Sequence, residues 1–106
     1  MTESAIKLIV SNCSPDEAPA LARSLVDDRL AACVNVIGPI KSYYHWDGEL
    51  CEDREVTLLI KTTAGRCDEL IDELARLHSY DVPEIVVLDP EDVADSYAGW
   101  VHEQVR

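Results

Sequence analysis

Two β-rich runs, residues 33–42 and 55–62, flank the segment Tyr43-Tyr44-His45-Trp46-Asp47-Gly48-Glu49. Three large rings and a histidine beside an Asp-Gly pair predict a hairpin that must bury its tip against something. Each run spans roughly 25–35 Å if extended, at about 3.3 Å per residue. A chain of 106 residues folds to a radius of gyration of about 13 Å. A hairpin of that length outreaches its own domain, and another subunit is the natural place for the excess. The aromatic residues Tyr43, Tyr44 and Trp46 are therefore candidates for an intersubunit cleft or interface.

The length predicts one domain over residues 1–106. No apolar run approaches the ~20 residues of a membrane helix. The start, Met1-Thr2-Glu3-Ser4, lacks the positive n-region of a secretory leader, so a cytoplasmic location is expected. Net charge is -12, with 21 acidic residues against 9 basic. That argues against binding the nucleic-acid backbone, which needs a Lys/Arg footprint. It permits cation binding and also fits a halophile's salt-rich cytoplasm.

Four cysteines, Cys13, Cys33, Cys51 and Cys67, form no C-x-x-C pair, which removes zinc-ribbon and thioredoxin readings. Cys33 and Cys67 sit in apolar patterns and read as core residues. Cys13 follows a strand and precedes Ser14-Pro15. A helix N-terminus there would lower its thiol pKa.

The order of elements is plain. Residues 5–10 form a β-rich run ended by Ser11-Asn12-Cys13. Ser14 is placed as an N-cap with Pro15 at the first helical position. Ala18, Leu21, Ala22, Leu25 and Val26 then recur at helical spacing. After the hairpin, Thr63 precedes a second helix with Cys67, Leu70, Ile71 and Leu74 on one face, and His78 continues that stripe. Pro83 breaks it. Residues 84–88 form a fourth strand, and residues 96–104 a short last helix with Tyr97, Trp100 and Val101 on its apolar side.

The order β-α-β-β-α-β is the ferredoxin-like pattern, an α+β sandwich of two helices on one face of an antiparallel sheet, here with an additional C-terminal helix. Its crossovers put the first and third strands in the centre. Val34, Val36, Ile40, Leu58 and Ile60 supply more apolar surface than one helix layer needs. An uncovered apolar sheet face predicts assembly.

An ordered set of segments carries a resemblance. The set is residues 30–35 (LAACVN), 42–48 (SYYHWDG), Glu55-Val56 with Leu59-Ile60-Lys61-Thr62, His78 with residues 80–85 (YDVPEI), and Tyr97 with Trp100. It resembles the CutA divalent-cation tolerance family from Val10 to Val101. The resemblance implies a ferredoxin-like subunit assembled as a homotrimer through edge strands, a role in tolerance to divalent metals, chiefly copper, and no enzymatic activity. It also implies where copper would be sought, at a Cys ending the first strand and a His-His pair ahead of the Pro segment. This chain has Asn12 at the strand-end position with Cys13 one residue later, and a single His78.

Each candidate has two readings. Cys13 is a thiolate ligand for Cu(I) or a junction residue; His78 is an imidazole ligand or a helix C-terminal histidine favoured by the macrodipole. Glu49, Glu52, Asp53 and Glu55 hold a hard cation weakly or form a solvated face. Lys61 and Glu84 pair across a subunit cleft or face a small ligand, and Trp100 is placed at the same intersubunit cleft or interface. Two function classes follow. One is a trimeric metal-binding or metal-tolerance protein. The other is a trimeric small-molecule sensor of the PII type, with its ligand in intersubunit clefts and an unknown signalling partner. No G-x-S-x-G, phosphate-binding glycine loop or paired-histidine motif supports an enzyme.

Overall fold

The computed structural model describes residues 5–106; Met1, Thr2, Glu3 and Ser4, on which the leader argument rests, lie outside them. The elements are β1 (Ile6–Cys13), α1 (Ala18–Asp27), β2 (Cys33–Trp46), β3 (Glu49–Thr63), α2 (Ala64–Leu77), β4 (Val86–Leu88) and α3 (Asp95–Gln104). The four strands form one sheet in the order β2-β3-β1-β4 with antiparallel pairing throughout. The first and third strands are central, as a ferredoxin-like order requires. No helix among the described residues is long and apolar enough to cross a membrane.

The core lies between the two crossover helices and one face of the sheet. Along β3 the even positions Val56, Leu58 and Ile60 point into it, with Ile9 and Cys13 of β1. Leu21 and Leu25 of α1 and Cys67, Leu70 and Leu74 of α2 close it from above. The i, i+3, i+4 spacing sets these contacts, because it places one stripe of each helix over the sheet. A smaller cluster of Ile6, Ala32, Val101 and Val105 anchors α3 beside the open end of the sheet.

Three boundaries differ from the sequence reading. β1 continues through Ser11, Asn12 and Cys13, which pair with Leu58, Thr57 and Val56; ladder pairing overrides their turn-like composition. α1 begins at Ala18, one turn after Ser14. Ser14 still acts at the junction. Its hydroxyl accepts the Glu17 N–H at 3.3 Å, and its own N–H donates to Glu17 Oε2 at 3.3 Å. This reciprocal pairing is a capping box set ahead of the helix. β4 is only Val86–Leu88, pairing with Val10, Ile9 and Leu8.

The hairpin is longer than the flanking runs suggested. β2 has 14 residues and β3 has 15. Asp47 (φ 52°) and Gly48 (φ 78°) make the turn with both centres in the left-handed region, as a tight two-residue hairpin demands. The molecule measures 50 × 26 × 22 Å, and the hairpin accounts for the long axis. Gly38 and Pro39 interrupt the ladder between Ile37 and Ile40. A bulge with proline is tolerated here because β2 is an edge strand.

That bulge changes which side chains face which way. Before it, the odd residues Cys33, Asn35 and Ile37 pair with Lys61, Leu59 and Thr57 on the face away from the helices. After it, the even residues Ile40, Ser42, Tyr44 and Trp46 share that face with Glu55, Asp53, Cys51 and Glu49. One extra residue reverses every later side chain on the strand. Tyr44 and Trp46 are thereby turned toward the open face, and Tyr43 and His45 away from it.

Candidate functional site: a carboxylate and aromatic cleft under the hairpin

At the root of the hairpin the open face folds into a cleft of about 400 Å³. Tyr44 and Trp46 reach it from β2, Asp53 and Glu55 from β3, and Asn12 from the end of β1. The segment after α2 closes it with Tyr80, Asp81, Val82 and Glu84. Pro83 disfavours the α region for Val82, so α2 does not continue through this segment.

Hydrogen bonds fix the walls. Tyr80 donates its hydroxyl to Glu55 Oε2 at 2.7 Å. Tyr44 donates to Asp53 diagonally across the hairpin. Asn12 links two walls, its Nδ2 donating to Glu84 Oε1 at 3.1 Å while its Oδ1 accepts from Thr57 Oγ1 at 2.7 Å. The bond to Asp53 pushes the Tyr44 hydroxyl up to about 12, with burial and the Asp53 charge adding to it. Burial first, then the Glu55 bond, raises Tyr80 further. Both phenols stay protonated and act as donors to carboxylates. Four carboxylates line the space and none of the lining side chains is cationic.

Beside this cleft lies a second polar knot. His78 ends α2 with its side chain fully enclosed. Nε2 lies 2.9 Å from the Asn12 carbonyl, which can only accept, so Nε2 carries the proton. Nδ1 accepts the Tyr80 N–H at 3.2 Å, and the ring packs against Tyr80 at 4.6 Å between centroids. Glu17 Oε1 stands 4.0 Å from Nδ1. Glu17 also accepts from the Ser79 hydroxyl at 2.8 Å and the Ser79 N–H at 3.2 Å. Burial pushes its carboxyl up, but the donors of Ser79 and Ser14 outweigh that and hold it below the usual range.

The structure thus brings Cys13 and His78 to one region, since His78 bonds to the backbone of the residue before Cys13. The state of the thiol is opposite to the expectation of an activated cysteine. Cys13 is fully buried on the helix-facing side. Burial, then the charges of Glu17 and Glu55, push its thiol up to about 11. The helix that would have lowered it starts at Ala18, a turn away. Among the described residues no group of three His, Cys, Asp or Glu side chains converges as a metal cage.

Of the sequence-selected cleft residues, Tyr44, Trp46 and Glu84 meet in the cleft. Tyr43 lies on the other face and is 62% exposed. Lys61 bonds to Asn35 further along the open face. Trp100 stacks with Tyr97 on α3 at 5.7 Å. Sequence reasoning missed Asn12 and Tyr80 as wall residues. The signal for Tyr80 was its place just before Asp81-Val82-Pro83; Asn12 was hidden because the strand was ended too early.

The sequence profile of the family described as CutA1 divalent ion tolerance protein matches residues 7–104. The chain is 40% identical over 96 residues to the divalent-cation tolerance protein CutA of Thermus thermophilus, covering 91% of this chain and 93% of that one. It is 39% identical over 100 residues to the protein of that name from Thermotoga maritima, covering 92% and 98%. The crystal structure of CutA from Xylella fastidiosa superposes with a TM-score of 0.92 at 34% identity, covering 97% of this chain and all of that one.

Proposed function

The chain belongs to the CutA1 divalent ion tolerance family, and from that premise we propose that it acts in the cytoplasm as a non-enzymatic homotrimer in divalent-cation tolerance. The observation that carries the assembly is the bare half of the hairpin. Leu50 is 70% exposed with Tyr43 on one face, and Trp46 stands out on the other. The open sheet face adds Ile37, Val86 and Leu88, all exposed, and both edge strands, β2 and β4, have an unpaired side. Two different edges on one subunit suit a head-to-tail contact, which closes into a ring when the rotation allows.

Copper is the cation we assign to the pair Cys13 and His78. The geometry sets terms for that reading. The metal must displace a proton from a thiol at about 11, and His78 must release the Tyr80 N–H to free a lone pair. Cu(I) affinity at this pair therefore rises about tenfold per pH unit between neutrality and pH 10. Competition against a Cu(I) chelator tests it, comparing wild type with Cys13→Ser and His78→Ala. Equal affinity in all three proteins would remove copper from the pair and leave the trimer standing.

A second reading, a sensor that holds a small molecule, is favoured by one observation. The cleft under the hairpin has the volume and the mixed apolar and polar lining of a ligand site.

A further inference from the structure

Two charges of opposite sign stand without a counter-charge on one face of the sheet. Glu55 is only 6% exposed. Tyr80 gives it one hydroxyl, and among the described residues no Lys, Arg or His pairs with it. Lys61 is half-buried, and its side-chain partner is the neutral Asn35. Among the described residues no carboxylate lies within ion-pair distance of it. Charges drawn out of water are stable when they meet each other.

Register keeps these two apart within one chain. Both belong to the odd positions of β3, which face away from the helices. They are six positions apart on that strand, about 20 Å at roughly 3.3 Å per residue. On the same face Lys61 is the only lysine or arginine of the four strands among the described residues. Lys7, Lys41 and Arg54 pair with even positions or occupy them, and so point to the other side. Glu49 and Asp53 share the face with Glu55, and Glu84 joins them at the cleft. The face is thus acidic toward the hairpin and basic at its opposite end. A closed ring of identical copies satisfies both ends, each subunit giving its lysine to one neighbour and taking one from the other.

We propose that Lys61 of a second copy enters the mouth of the cleft, with Glu84 on the rim and Glu55 beneath it as counter-charges. The cleft is then a site built by two chains and completed by a cation that its own chain does not supply. The proposal rests on the trimer reading above and needs neither copper nor a small ligand.

The test is sedimentation equilibrium over a dilution series for wild type, Lys61→Met, Glu84→Gln and the double variant. Carbodiimide coupling of the intact wild type, read by mass spectrometry, accompanies it. Lys61→Met and Glu84→Gln should each dissociate at a protein concentration about tenfold or more above wild type. The double variant should dissociate no more readily than Lys61→Met alone, because the two side chains act through one contact. The coupling should join Lys61 to Glu84 or Glu55, and the separation along the sheet makes that a link between chains. A wild-type trimer with variant losses that add, or with no loss in Lys61→Met, overturns this proposal and leaves the trimer. Where all four proteins stay trimeric at the lowest concentration, the coupling decides: the link upholds the proposal and its absence overturns it. Wild type at the mass of one chain throughout removes the trimer reading and this proposal with it.

Discussion

One strand belongs to two environments. The C-terminal half of β3 sits under the helices, with Leu58 and Ile60 fully buried. Its N-terminal half, from Glu49 to Arg54, runs out along the hairpin, where Leu50 is 70% exposed. The ladder to β2 continues through both halves. Backbone hydrogen bonding therefore does not distinguish them, and apolar burial does. The covered half is stabilised within one chain; the bare half is a surface still to be buried.

The largest expected effect lies in the covered half. Leu70 has no exposed surface and packs in the main core. Leu70→Ala should lower unfolding stability by about 2–5 kcal/mol, read by denaturant melts. A loss below 1 kcal/mol would mean that the helix layer is not the stabilising region.

The bulge joins the two halves, and Gly38→Ala tests it. Gly38 has φ of 153°, and an added Cβ would meet Val56 Cγ1 at 3.0 Å and Val56 Cα at 3.2 Å. Backbone cannot give way as a side-chain tip can. We expect a loss of about 1–3 kcal/mol. An unchanged melt would show that the side-chain reversal after Ile37 does not depend on this glycine.

Much of this arrangement is legible in the sequence. The strand and helix order follows from hydrophobic period, and Asp47-Gly48 specifies the turn. What a pattern of alternation does not carry is a change of phase. Gly38-Pro39 marks the bulge, but the reversal of Tyr44 and Trp46 depends on register against β3. The setting of Cys13 differs from the expected one for a related reason. Its strand was ended at Val10, which put the thiol at a helix start instead of in the core. Glu55 looked like one of several solvated hairpin acids; burial by Tyr80, 25 residues away, is a tertiary fact.

A smaller effect concerns Glu17, which ties α1 to the end of α2. Its folded pKa is depressed, so its stabilisation is present above the unfolded carboxylate value. That stabilisation is lost as pH falls through the folded value. Stability of wild type should drop below about pH 4.5, and Glu17→Gln should flatten that part of the curve and remove about 1 kcal/mol at neutral pH. Parallel curves for the two proteins would assign the acid transition to other groups.

The contrast between the two halves of β3 is tested most directly by sedimentation equilibrium of wild type and Trp46→Ala, in low and in molar salt. Trp46 is 48% exposed within one subunit. The wild type should sediment at three times the mass of one chain in both salts. Trp46→Ala should shift toward monomer while the subunit's own unfolding stability changes by less than about 0.5 kcal/mol. A wild-type protein that remains monomeric in both salts would contradict the claim that the bare half of the hairpin is an interface.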